Sequence, residues 1–383
     1  MSGLDETIRA GLDALAASGN LRRLRAPRKT HPVNLSSNDY LGIASDIALR
    51  VEFLSTLAPS DYRFSSSSSR LLSGNCEEAE ELEATLAALY GAETALVFNS
   101  GYHANTGIIP ALAAADGSVV FFADKLAHAS IVDGLRLSGA KFVRYRHNDL
   151  GELDRLLGAS SAKTKIIVTE SIFSMDGDCA DLRRLAELKR AYPGTMIYLD
   201  EAHAVGVRGD NGLGLAEETG SLPDIDILVG TFGKALASVG AFALCAPHIR
   251  DWLVNKMRTL IYTTALPPLN LRQAGFIVKK IVAPEFRARR ERLRAISERL
   301  RAAVIASGRP CVSTSQIIPV VCGTGHAAND YAEHLSANGF FAPPIRPPTV
   351  PEGTSRVRIS LNSGITDSEI ATLAELIRQT RPV

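Results

Sequence analysis

KIIVTES (165–171), MIYLDEA (196–202) and DILVGTF (226–232) are short β-branched runs, apolar throughout and each closed by polar or small residues. A strand with one wet face alternates apolar and polar side chains, so runs without alternation belong in a sheet covered on both faces, which is usually a parallel one. The segments between them are long enough for helices. Toward the N-terminus the texture repeats in KFVRY (141–145), SVVFFAD (118–124) and TALVF (94–98), and EEAEELEATLAALYG (77–91) reads as a helix stopped by Gly91. Toward the C-terminus AFALC (241–245) adds another run. The expectation is an α/β protein with a large, mainly parallel α/β/α sheet domain.

Beyond Ala265 the texture changes. PEFRARRERLRAISERLRAAVIASG is a long charged helix, QIIPVVC and RVRISLN read as strands, and SEIATLAELIRQT closes the chain as a helix. This predicts an N-terminal helix and arm over residues 1–45, a large domain over 46–265 and a small α+β domain over 266–383. The first residues, MSGLDETIRAGLDALAASG, carry Leu4, Ile8, Leu12 and Leu15 at helical spacing, with Asp5 and Glu6 where a secretion signal would be basic. Ser65–Ser69 is the one low-complexity piece, a composition typical of mobile surface loops.

Composition excludes several classes. A chain of 383 residues with 46% hydrophobic residues has ample material for a core. Forty-two basic against 41 acidic residues leave no net field for a polyanion, so neither nucleic acid nor an anionic membrane is the expected partner. The five scattered cysteines form no C-x-x-C pair, which suggests neither a disulfide framework nor a zinc site and fits a reduced cytoplasm. DEAH (200–203) lacks the phosphate loop a nucleotide-driven motor needs, and no G-x-G-x-x-G or G-x-S-x-G element follows a strand.

Ligands of open α/β sheets bind beyond the carboxyl ends of the strands. Polar residues follow five of the runs: Asn99-Ser100-Gly101, Asp124 and His128, Glu170, Ser171 and Ser174, Asp200, Glu201 and His203, and Thr231 to Lys234. Each alone is open to a structural reading as a cap or a satisfied buried group. Lys234 stands in a small-residue turn between two apolar runs, a poor place for a solvated lysine. Partial burial disfavours its charged form and makes the amine available for imine formation with an aldehyde. Asp200 could pair with a protonated ring nitrogen, and Ser100-Gly101 and Gly230-Thr231 could present amides and a hydroxyl to a phosphate. The constellation suits pyridoxal phosphate.

NLSSNDYLGIAS (34–45), SRLLSGN (69–75), NSGYHANTG (99–107), DKLAHASIVDG (124–134), TESIFSMDGD (169–178), LDEAHAVGVRGDNGLG (199–214), GTFGKALASVGAF (230–242), YTTALPP (262–268) and RPPTVPEGTSRVRIS (346–360) resemble, in order, the α-oxoamine synthases. These are fold-type I pyridoxal phosphate transferases that condense an amino acid with an acyl thioester and lose carbon dioxide. The resemblance implies that Lys234 is the Schiff-base lysine and the base at the substrate α-carbon. It implies that His128 stacks on the ring, Asp200 pairs with the pyridinium nitrogen, and His203 and Ser174 bond near the ring hydroxyl. Ser100, Gly101, Tyr102 and Thr231 would hold or flank the phosphate, with Thr264 resembling a contact made by the partner in a homodimer. Arg358 would fix the amino-acid carboxylate with Asn38 beside it, and Arg22 and Thr349 resemble substrate contacts. No metal is implied.

Within the family, the short chain without a presequence and RPPTVPEGTSR favour the branch that joins L-alanine to a pimeloyl thioester, on coenzyme A or acyl carrier protein. The branches making 2-amino-3-ketobutyrate, 5-aminolevulinate or the sphingolipid precursor stay open, as does a non-catalytic partner subunit. Two departures stand out: FSSSSSR (64–70) where relatives often have a glycine-rich loop, and His103 where the family often has a small residue.

Overall fold

A computed structural model describes residues 3–24 and 32–380, so the end of the basic run LRRLRAPR lies outside the described residues. By compactness the chain divides into a large unit, Asp39–Ser174 with Cys179–Glu291, and a small one, Met1–Asn38, Met175–Asp178 and Arg292–Val383. The division therefore falls elsewhere than the expected boundaries at 45 and 265. Helix Pro268–Lys280 packs on helix Glu77–Tyr90 and stays with the large unit. The N-terminal arm and a short piece at 175–178 join the C-terminal residues instead.

The large unit is built on seven strands, β1 (Thr94–Phe98), β2 (Val120–Asp124), β3 (Lys141–Tyr145), β4 (Lys165–Glu170), β5 (Thr195–Asp200), β6 (Ile227–Thr231) and β7 (Ala241–Cys245). Their order is β1-β7-β6-β5-β4-β2-β3, and only β7 runs against its neighbours. The linker of residues 232–240 explains the reversal, because a crossover between parallel strands takes a dozen residues or more. Helix α1 (Gly101–Ala115) lies in the core over the sheet, with Ala104, Ile108 and Ile109 fully buried. Each isoleucine withdrawn from water contributes roughly 1.5–3 kcal/mol. Helix α2 (Ala129–Ser138) crosses α1 closely at Gly134, where a Cβ would lie 2.5 Å from the Asn105 carbonyl. That approach brings the start of α2 to the second turn of α1.

The serine run is tied down rather than loose. Ser66 Oγ donates to the Leu266 carbonyl at 2.5 Å, and the Ala265 amide donates to the Ser68 carbonyl at 2.9 Å. Ser67 takes φ 54°, a left-handed backbone that glycine would adopt freely, and its amide is held by Ser65 Oγ at 2.9 Å. Serine thus reaches a conformation glycine favours, with a side-chain bond to steady it.

In the small unit β8 (Ile317–Gly323), β9 (Pro344–Ile345) and β10 (Ser355–Ser360) form an antiparallel sheet in the order β9-β10-β8. Helices Gly325–Ala337 and Asp367–Gln379 belong to the same unit, the latter opened by a capping box between Thr366 and Glu369. The N-terminal helix forms over Gly3–Ala17, and its stripe of Leu4, Ile8, Leu12 and Leu15 is exposed in the single chain. Among the described residues no helix is long and apolar enough to cross a membrane.

Candidate active site

The carboxyl ends of the parallel strands gather polar groups along one edge of the large sheet. Asp200, the last residue of β5, is buried and stands level with Glu170 at the end of β4. Its Oδ1 accepts from the Ala202 amide and its Oδ2 from Asn105 Nδ2, both at 2.8 Å. Glu170 is buried too, and its Oε1 accepts from the His128 amide at 2.5 Å. Desolvation first, then the neighbouring Asp200 charge, push the Glu170 carboxyl well above its usual range, against the opposing pull of Lys234. Adjacent buried carboxylates resist ionising together, so Glu170 keeps its proton.

Lys234 lies in the turn between β6 and β7 and is half-buried. The turn is stitched across its base, Phe232 amide to Gly240 carbonyl at 2.9 Å and Ser238 amide to Phe232 carbonyl at 2.8 Å. Lys234 Nζ lies 2.9 Å from His203 Nε2, and His203 Nδ1 lies 2.7 Å from the hydroxyl of Tyr40, which is fully buried. His203 is therefore gripped at both ring nitrogens. His128 is exposed in the single chain, yet protein crowds it enough that desolvation is the largest influence on its ring and pushes its pKa down. Asp200 and Lys234 act on that ring in opposite senses, raising and lowering it respectively.

Ser100 caps α1, its Oγ accepting from the His103 amide at 3.2 Å and meeting His103 Nδ1 at 2.8 Å. His103 thus bonds the cap rather than merely filling space. The amides of Gly101 and Tyr102, at the first helical positions, have no partner within the helix. A Cβ at Gly101 would meet nothing within 4 Å. Tyr102 donates its hydroxyl to Asp133 Oδ2 at 2.6 Å. Thr231 gives its proton to the Gly240 carbonyl at 3.0 Å and accepts from the Gly233 amide at 3.1 Å, so it braces the lysine turn. Ser174 is buried, and Thr264 is exposed with its carbonyl accepting from Asn99 Nδ2 at 2.8 Å. Asp124 serves structure, tying His147, Leu126 and Asn148 to the end of β2.

The remaining four predicted residues lie in the small unit and form two bonded pairs. Arg358, buried on β10, donates to Ser360 Oγ at 2.6 Å and to Asn38 Oδ1 at 3.3 Å. Arg22 donates to Thr349 Oγ1 at 2.9 Å, and both are exposed. Three residues escaped the sequence reading: Tyr40, Asn105 and the hydroxyl-bearing Ser130. Asn105 left a signal, an amide inside a helix that is otherwise small and apolar, where a buried polar group demands partners.

The donor set fits pyridoxal phosphate. It offers an amine for the aldehyde, a buried carboxylate for the ring nitrogen, and an open helix start with room at Gly101 for a phosphate.

The family model for class I and II aminotransferases matches residues 30–377. The 8-amino-7-oxononanoate synthase of Haemophilus ducreyi is 49% identical over 347 residues, 88% of this chain and 89% of that one. A solved structure of a serine palmitoyltransferase variant from S. paucimobilis with bound PLP–myriocin aldimine aligns at a TM-score of 0.87 with 29% identity, covering 99% of this chain and 98% of that one. The 8-amino-7-oxononanoate synthase of Francisella tularensis aligns at 0.77 with 29% identity over 91% and 97%. The chain belongs to the class I and II aminotransferase family and, within its fold-type I transferases, to the α-oxoamine synthases. Among these it is similar to the 8-amino-7-oxononanoate synthases, at up to 49% identity over most of the chain.

Proposed function

We propose that this chain condenses L-alanine with a pimeloyl thioester, on coenzyme A or acyl carrier protein, releasing carbon dioxide and the free thiol and giving 8-amino-7-oxononanoate for biotin biosynthesis. Its relatives' names support the reaction, and the family supports pyridoxal phosphate as the cofactor. The single observation that carries the reading is the Lys234 amine, half-buried 2.9 Å from the His203 ring, on the sheet edge that ends in the buried carboxylate of Asp200.

When bound, the cofactor supplies an aldehyde that condenses with amines and a protonated ring that accepts the electrons of a bond broken at Cα. Asp200 keeps a proton on the ring nitrogen, its oxygens aimed by Asn105 and Ala202. Lys234 would hold the cofactor through Nζ and would take the Cα proton of alanine onto the same nitrogen. His203, fixed by Tyr40, orients that amine. His128 covers the ring, and Ser100, Gly101, Tyr102 and Thr231 hold or flank the phosphate, with Ser174 near the ring hydroxyl. Arg358 and Asn38 take the alanine carboxylate, and Arg22 and Thr349 contact the acyl substrate. The protein works in the cytoplasm as a homodimer in which Thr264 serves the partner's site. Leu72 and Tyr262, 81% and 72% exposed in the single chain, are apolar groups such an interface would cover.

The test is an assay of purified protein with alanine, glycine and serine against acyl thioesters of several lengths, following thiol release. The expected result is a yellow protein, bleached by borohydride with the label on Lys234, that prefers alanine and the pimeloyl chain. Preference for glycine or serine would move it to another branch of the family. A colourless, inactive protein would leave a partner subunit.

A further inference from the structure

Asn105 is 1% exposed and makes three side-chain bonds within the large unit. Its Nδ2 donates to Asp200 Oδ2 at 2.8 Å and to Ser130 Oγ at 2.9 Å, while its Oδ1 accepts from the Tyr198 hydroxyl at 2.6 Å. Ser130 Oγ in turn lies 2.7 Å from His128 Nδ1. These five residues come from α1, the start of α2 and β5, and they link the two groups expected on either side of the cofactor ring.

Counting protons along this chain leaves one arrangement. The Ser130 backbone amide points at His128 Nδ1 at 3.2 Å, and an amide can only donate, so Nδ1 is an acceptor. A neutral His128 must then carry its proton on Nε2. The Ser130 hydroxyl, facing that acceptor, donates to it and must accept from Asn105. Both hydrogens of the Asn105 amide are thereby assigned, one to Ser130 Oγ and one to Asp200 Oδ2. The reversed amide would set its oxygen against the Asp200 carboxylate, and Tyr198, fully buried with its pKa pushed far up by desolvation, keeps its proton to hold the oxygen side.

We propose that Asn105 is a positioning residue for both ring partners at once, aiming the Asp200 carboxylate at the ring nitrogen and, through Ser130, committing a hydroxyl donor to His128 Nδ1 beside the Ser130 amide that sets the Nε2-protonated tautomer. This rests on the cofactor assignment made above and adds to it. The Asp200 carboxylate and the Ser130 hydroxyl take their direction from the same amide.

Three proteins decide it: the wild type, Asn105→Ala and Tyr198→Phe, each checked for unchanged thermal unfolding cooperativity. Nitrogen-15 NMR of histidine-labelled protein reports the tautomer without any cofactor. Visible absorption reports the affinity for added pyridoxal phosphate and the pH at which the bound band titrates, a pH set jointly by Asp200, Lys234, Glu170, Asp133 and His128. The expected results are an Nε2-protonated His128 in the wild type and, in Asn105→Ala, a shifted His128 Nδ1 resonance as the Ser130 hydroxyl loses its fixed direction. Asn105→Ala should also bind the cofactor about tenfold to a hundredfold more weakly, the effect of losing one bond to a buried charge, with a displaced titration. Tyr198→Phe should fall between the two. A wild type with Nδ1 protonated, or an Asn105→Ala protein with unchanged Nδ1 resonance, affinity and titration, overturns the proposal while the wild type stays yellow. A wild type that takes up no cofactor defeats the functional reading instead, and the tautomer measurement still judges the network by itself.

Discussion

The sheet edge of the large unit and the small unit's predicted substrate residues hold their polar groups in different ways. On the sheet edge each group has several partners, as Asp200 shows by accepting from both Ala202 and Asn105 and His203 by meeting Tyr40 and Lys234. In the small unit Arg22 meets Thr349 between exposed side chains, while Arg358 is buried and reaches Ser360 and, at 3.3 Å, Asn38. A buried network fixes geometry before any ligand arrives, whereas a bond between exposed side chains such as Arg22–Thr349 exchanges readily. Chemistry common to many substrates belongs on the first and choice among substrates on the second.

The contrast breaks most visibly at Lys234. Lys234→Ala should lower turnover by about 10²–10⁴-fold or more and abolish the borohydride-trapped label, measured by thiol release and peptide mapping. Glu201 sharpens it next. This glutamate is fully buried, accepts from the Leu215 and Ala216 amides at 3.0 and 2.7 Å, and has its pKa pushed up from 4.5 to about 7, chiefly by desolvation. A folded pKa above the unfolded one means the native state binds the extra proton, so Glu201's contribution to stability is full below pH about 4.5 and is lost as pH rises to about 7. The fall is on the order of 3 kcal/mol, and Glu201→Gln should flatten it in urea unfolding followed across that window.

Arg358→Lys should raise the KM for alanine about tenfold while leaving kcat nearly unchanged, since lysine gives up the planar fork that grips a carboxylate. An equal loss in kcat would place Arg358 with the sheet-edge network and erase the distinction. Thr349→Val sits at the bottom of the scale. Stability should change by less than about 0.5 kcal/mol, with a shift of KM for the thioester and none for alanine.

The strands of the large sheet were legible because apolar runs without alternation have one sensible home. KFVRY and AFALC match β3 and β7 residue for residue. The reversal of β7 was less visible, although the shortness of the 232–240 linker held the clue. Domain limits misled because the small unit is assembled from three separated stretches, one of them only Met175–Asp178. Among the candidate site residues, those at strand ends could be nominated because the sheet's topology points to them. Asn105 and Tyr40 were missed for a common reason: they act on other residues from inside a helix or a loop, and their value exists only in the packed chain. The serine run shows the opposite error, where composition suggested mobility and hydrogen bonds to Leu266 and Ala265 supplied order.

Because the Lys234 turn is sewn to both β6 and β7, its amine travels by side-chain torsions alone while the loop stays put. Gly240, at φ 108°, leaves so little clearance that a Cβ would lie 2.9 Å from the Phe98 carbonyl. Lengthening this loop would shift the anchor of the reactive nitrogen, so evolution is confined there to swaps of equal length. The exposed turn around Ser161, ahead of the far end of β4, holds no reactive group and is where insertions, tags or fused domains can be accepted, since Thr164 beyond it is held by its own bond to Asp116 at 2.6 Å.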